Sequence, residues 1–147
     1  MNNNPFASFE INIPTKYQES VKKYCRTGNT DAKAIEAPFD RQIDFWFMAF
    51  LIAVNKGLTP VKDSKTYTVI TGSIFDRDPK RVSFMQLTIL GLTENFEMLS
   101  DHRFVFNYCL ELANAGIPEL IQILSDPDDL PLWAILTELE SLSKSKS

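Results

Sequence analysis

The chain has one histidine, two cysteines and five glycines in 147 residues, and each scarcity removes a class of chemistry. His102 stands between Asp101 and Arg103. A catalytic imidazole needs a positioned nucleophile or proton partner. Its neighbour Ser100 reads as the cap of a helix, and His102 as a surface or capping residue. Cys25 and Cys109 are far apart and form no CxxC pair. With a single histidine they cannot present the four-ligand spacing of a zinc site, and no metal or cofactor is implied. They read as reduced, partly buried thiols. The glycines are scattered among turns and one helix position, Gly91, so no phosphate-cradling loop exists. No apolar run approaches the roughly 20 residues that cross a bilayer, which leaves no membrane contact. The opening Met1-Asn2-Asn3-Asn4-Pro5 lacks the basic and apolar regions of a signal peptide. It reads as a loose tail, and a cytoplasmic protein is expected.

What the chain does have suits one globular domain. Its 44% hydrophobic and 23% charged residues are ordinary for that class, and this length buries a core without disulfide or metal. The net charge of −4 hides a division. Residues 1–93 carry twelve Lys/Arg against nine Asp/Glu, whereas residues 94–140 carry Arg103 alone against ten acids. The acidic part repels nucleic acid, so phosphate contacts would have to come from the first two thirds.

The most informative stretch is the ten-residue apolar run Phe45–Val54. It predicts a helix buried nearly all round, with Asp40 as cap, Phe39 as staple, Gly57 as left-handed stop and Pro60 beyond it. Ahead of it, Ile11–Ile13 reads as extended. Pro14 then opens a helix to about Cys25, with Tyr17, Val21 and Tyr24 on its inner face and Gly28 as its stop. Lys16, Lys22, Lys23 and Arg26 read as a solvated face, and residues 29–38 as a linker. Thr66–Ile70 is a short strand or extended loop. Asp78-Pro79 starts a helix with the stripe Val82, Met85, Ile89 and Leu92, widened by Phe84, Leu87 and Leu90. Ser100-Asp101 starts another, with Phe104, Val105, Tyr108 and Leu112 inward. Asn114-Ala115-Gly116-Ile117 reads as its C-cap, and Pro118 as the restart of a short helix to Leu124. Asp126-Pro127-Asp128-Asp129 is a turn, and Pro131 opens a last helix with Leu132, Ile135, Leu136 and Leu139 in register. The expected fold is all-α: a compact bundle of about five helices over residues 13–142, with at most a short strand pair. Residues 1–12 and 143–147 are the expected flexible tails.

Three patterns bear on function. The acidic turn at 126–129 lacks the glycine and distal glutamate of a calcium loop. Asp44 followed by Asp63-Ser64-Lys65 loosely echoes a metal-dependent nuclease, but that chemistry needs a strand-based core and Asp44 falls on a helix. Lys56, Lys62, Lys65, Arg77, Lys80 and Arg81 form a basic segment diluted by Asp63, Asp76 and Asp78. It is either a solvated surface or a contact for a nucleic-acid backbone or an acidic partner. Two charged helix starts, Asp40, Arg41 and Asp44 with Asp101, His102 and Arg103, are candidates for a partner surface.

Four stretches in order resemble the small accessory proteins associated with DNA phosphorothioation (Dnd) systems: Ile13-Pro14-Thr15-Lys16-Tyr17-Gln18-Glu19-Ser20-Val21, Asp44-Phe45-Trp46-Phe47-Met48-Ala49 with Gly57 and Pro60-Val61, Leu92-Thr93-Glu94 followed by Leu99-Ser100-Asp101, and Glu111 through Leu120 with Asp126 through Leu130. The resemblance spans about residues 13–140 and implies an accessory role in bacterial anti-phage defence, with no assigned activity. Together with the missing catalytic groups, it leads us to expect a non-enzymatic adaptor docking on a larger ATPase, nuclease or modification enzyme. The rival expectation is a DNA-binding or regulatory module using the 56–81 segment.

Overall fold

The computed structural model describes residues 4–27 and 33–145, with side chains as far as Ser141. The expected Gly28 helix stop, the first residues of the 29–38 linker and the tail side chains at 143–147 lie outside the described residues.

The apolar run forms α2, Gln42–Lys56, and it governs the rest of the fold. Ile43, Phe45, Trp46, Ala49, Phe50, Ile52 and Ala53 are buried, and the remaining apolar positions of the run are half-buried, so no side of the helix is left to water. Gly57 ends it in the left-handed conformation (φ 64°), the geometry that glycine adopts without a Cβ clash. The start differs from expectation. The N-cap is Arg41, without a side-chain cap bond, and Asp40 pairs instead with Arg26. Phe39 does pack ahead of the helix, edge-on to Phe45 with centroids 5.4 Å apart.

α2 packs most extensively on α4, His102–Leu124. This helix runs unbroken through the segment expected to be a C-cap and restart. Gly116 is helical rather than left-handed, and its role is lateral: a Cβ there would lie 1.9 Å from the Ala49 carbonyl oxygen. Pro118 is carried inside the helix, where it removes one backbone donor. Around this pair stand α1 (Gln18–Lys23), α3 (Pro79–Thr93) and α5 (Pro131–Ser145), with 3-10 turns at Thr15–Tyr17, Gly72–Arg77 and Phe96–Ser100.

The protein is mostly helical, but not all-α. β1 (Glu10–Pro14) and β2 (Thr66–Thr71) form a two-stranded antiparallel sheet. The register runs from Glu10↔Thr71 to Pro14↔Thr66 and shifts between Ile11 and Asn12. Ile11 and Ile13 point into the core, so the sheet is an inner layer over α4 and not a decoration.

The expected loose tail at 1–12 is also corrected. Phe6 is fully buried and packs on Phe106 (5.2 Å between centroids), as does Phe9. The Asn4 amide donates to the Gly72 carbonyl and to Asp76. Gly72 is needed here because a Cβ would meet the Phe6 carbonyl at 1.9 Å. One cluster of buried residues runs from Phe6 to Ile135.

Candidate functional site: charged helix ends and exposed apolar faces

The start of α2 is an ion-pair network. Asp44, largely shielded, accepts from Arg41 Nε and Nη2 at 3.2 and 3.1 Å and pairs with Arg81 Nη1 at 3.1 Å. Arg81 also pairs with Asp78 at 3.0 Å and lies over the Phe47 ring at 4.8 Å. The hydrogen bond to Asp44 is the main cause that pushes the Arg41 pKa up, against a lowering effect of burial. Beside this network, Arg26 and Asp40 pair, and backbone bonds Arg26 N–Phe39 O (2.8 Å) and Phe39 N–Tyr24 O (3.2 Å) hold the two segments together. Arg26 is therefore structural and not part of a solvated face; its Nε is buried without a hydrogen-bond partner.

The other predicted helix start has a different character. Asp101 is the N-cap of α4, and its Oδ1 accepts from Phe104 N at 3.0 Å. Ser100 is not the cap; its hydroxyl donates to the Glu97 carbonyl. His102 is exposed. The Arg103 guanidinium stacks over Phe9 at 4.0 Å. The two groups sit at opposite ends of α3. Asp44 grips Arg81 in its first turn, while Asp101–Arg103 follow the 3-10 turn that leaves it.

The six cations of the 56–81 segment are not gathered onto one surface. Lys56, at the far end of α2, pairs with Glu119 (3.4 Å) and Glu138 (3.6 Å) beside a cavity of about 620 Å³ that is also lined by Asp126 and Asp129. Arg81 is held near the other end of α2, about 18 Å away at the rise of 1.5 Å per residue. Lys62 lines a second cavity of about 330 Å³ with Asp63 and Glu111. Lys65 joins the loop through its backbone, donating to Asp63 Oδ1 at 2.9 Å. Arg77 and Lys80 are exposed and carry no ion pair among the described residues. The nuclease-like acids are also separated: Asp44 belongs to the arginine network, while Asp63 pairs with Lys16 at 3.6 Å.

No group of three or more His, Cys, Asp and Glu side chains that could hold a metal occurs among the described residues. Both cysteines are free and buried. Burial, helped by the Asp44 charge, pushes Cys25 up to about 12, and burial alone pushes Cys109 up further. Neither thiol is a thiolate near neutral pH, and the thiolate is the reactive form. Tyr67, raised to about 12 chiefly by burial, donates to Gln42 Oε1 at 3.0 Å and is a structural strut. Among the described residues, no helix is long and apolar enough to cross a membrane.

The feature that sequence reasoning missed is apolar and exposed. On α3 the inner stripe Val82, Met85 and Ile89 is buried, but Phe84, Leu87 and Leu92 are not. Leu87 is 65% exposed, and Phe96 in the following turn is 78% exposed. Lys80, Phe84, Leu87 and Gly91 follow at spacings of four, three and four and so share one helix face. Among the described side chains of α5, Ala134 and Ile135 are the buried ones; Trp133 is 53% exposed, with Leu136 and Leu139 beside it. The signal was present as excess: an apolar stripe widened by Phe84 and Leu87 is broader than one contact face can cover.

Compared with known protein families, curated proteins and solved structures, the chain matches none.

Proposed function

We propose that this protein is a non-enzymatic accessory subunit that docks on a larger protein component, an ATPase, nuclease or modification enzyme, of a bacterial DNA-modification-linked defence system. The defence setting rests on the resemblance of residues 13–140 to the Dnd-associated accessory proteins. The docking role rests on one observation: on the outer face of α3, Leu87 is 65% exposed and Phe84, whose ring also meets Phe47 and Phe50, is 43% exposed. Single surface apolar residues need no explanation, but two large ones one turn apart on the same outward helix face mark an interaction surface. Lys80 shares this face and Arg77 precedes the helix, both exposed and without an ion pair among the described residues, so the face fits an apolar partner surface rimmed by acids. Asp44 joins its first turn by pairing with Arg81, Arg41 pairs with Asp44, and Asp40 stands beside them; Asp101, His102 and Arg103 lie beyond its last turn. They serve as the polar rim of the same interface rather than its centre.

The DNA-binding alternative finds less support, because Lys56 and Arg81 already pair with Glu119, Glu138, Asp44 and Asp78. The test is co-expression with the products of adjacent genes and purification through this chain. Leu87→Glu should abolish co-purification and leave the melting temperature unchanged; retained co-purification would reject the α3 face.

A further inference from the structure

The outer face of α3 carries its charges in a fixed order. Lys80, Phe84, Leu87 and Gly91 share this face, and the next step of three reaches Glu94, the C-cap of the helix. Leu87 stands at the midpoint, seven residues after Lys80 and seven before Glu94. The flanking 3-10 turns continue the division, with exposed Arg77 before the helix and exposed Glu97 after it. The acids at the basic end are already engaged: Asp78 pairs with Arg81, and Asp76 accepts from the Asn4 amide. The face therefore has a cationic end, an apolar middle and an anionic end.

Such a face is complementary to itself when turned end for end. In an antiparallel pair of α3 helices about a two-fold axis at Leu87, Lys80 of each copy lies opposite Glu94 of the other. The two Leu87 side chains meet on the axis, and Phe84 of each copy falls beside Gly91 of the other. A parallel pair would instead set Lys80 against Lys80 and Glu94 against Glu94. Gly91 has no task within one chain. It is exposed in the helix interior, its φ is not positive, and a Cβ there would meet nothing within 4 Å. Glycine at such a position weakens a helix relative to alanine, but it leaves a notch that a neighbouring side chain can fill. Phe84 suits the notch, because its ring is steadied by Phe47 and Phe50, each at 6.2 Å, and is still 43% exposed.

We infer that a second copy of this chain covers the face in the partner-free protein, as an antiparallel α3 pair centred on Leu87, an assignment that rests on the reading of this face as a docking surface. Self-association and docking on a larger component then exclude each other, because both bury Leu87. A two-fold contact uses the same patch on both copies and closes at the dimer. Confined to one helix and its flanking turns, it belongs with the small, weak interfaces, and a micromolar dissociation constant is expected.

The test is sedimentation equilibrium of the purified full chain alone. The parent should pass from monomer to dimer, and no further, as its concentration rises through the micromolar range. Leu87→Glu sets two carboxylates together on the axis and should stay monomeric. Lys80→Glu and Glu94→Lys each turn both cross-copy ion pairs into repulsions, and each should raise the dissociation constant at least about tenfold. An equimolar mixture of those two variants restores both pairs in a mixed dimer, whose dissociation constant should return to within about threefold of the parent. Melts of the dilute variants, where each is a single chain, should match the parent. The pairing is overturned by a parent that stays monomeric to about 1 mM or assembles beyond the dimer. It is equally overturned by a Leu87→Glu dimer, by parent-like dimerisation of Lys80→Glu or Glu94→Lys, or by a mixture no tighter than either variant alone. A monomeric parent leaves docking on a larger component standing, because co-purification tests that separately.

Discussion

Gly116→Ala separates two opposite accounts of the longest helix. Helix propensity alone favours alanine by about 0.8–1 kcal/mol at an interior position. The structure places the new Cβ 1.9 Å from the Ala49 carbonyl oxygen, where ordinary contact begins at 3.4 Å. The obstacle is backbone on the most extensively packed helix pair, so no side-chain rotation relieves it; α2 and α4 must separate by more than about 1 Å. Overpacking of this kind costs about 1–3 kcal/mol, and a backbone obstacle belongs at the upper end. Set against the propensity gain, the net loss is about 2 kcal/mol. For a chain of this size that lowers the melting temperature by about 4–8 °C. Gly91→Ala is the control, because its Cβ would meet nothing within 4 Å; it should stabilise by about 0.5–1 kcal/mol. Gly116→Asn distinguishes the remaining alternative, since asparagine is tolerated at a left-handed C-cap but not in a close helix contact. Thermal and urea melts of the three variants decide the matter. Gly116→Ala melting at or above the parent would refute the packing account.

The buried thiols should be silent toward a disulfide reagent in the native protein and react only as fast as the chain unfolds. Their raised folded pKa values also set a sign. The unfolded thiols ionise near their ordinary value of about 8.5, while folded Cys25 holds its proton to about 12. Stability is thus complete below about pH 8.5 and declines as pH rises toward 12, a decline that Cys25→Ala should reduce in a series of alkaline melts. Phe6→Ala should cost about 3–5 kcal/mol in a urea melt, as for any buried aromatic; no change would restore the loose-tail reading. Arg81→Glu places a like charge against Asp44 and Asp78 and should destabilise by about 1 kcal/mol or more, whereas exposed Lys80→Glu should stay within about 0.5 kcal/mol in the same melt.

The parts of the fold legible in the sequence were those governed by local signals. Phe45–Val54 with Gly57 and Pro60, Asp78-Pro79, and the alternation at Thr66–Ile70 each carry their cause within a few residues. The misread parts have distant causes. Asn4–Phe9 looks like a polar tail, because nothing nearby shows that Phe6 and Phe9 meet Phe106 a hundred residues on. The Asn114–Pro118 segment has the composition of a C-cap, yet Gly116 is there for Ala49 and Asn114 for Val61. Asp40 and Asp44 were recognisable as charges at a helix start. Their partners, Arg26 and Arg81, come from other elements and could not be paired by spacing. The exposure of Phe84, Leu87 and Trp133 was hidden for the same reason: periodicity shows an apolar stripe but not how much of it the rest of the chain covers.

Docking through the outer face of α3 is decided by the affinity of this chain for the adjacent gene product that co-purifies with it, measured for the parent and for Leu87→Glu. A residue at the centre of an interface is worth at least about 2 kcal/mol, or roughly thirtyfold in Kd. Because Leu87 is 65% exposed, the substitution should leave the melt of the free chain unchanged. At least that thirtyfold loss on an intact fold is expected. Parent-like affinity in Leu87→Glu would contradict it.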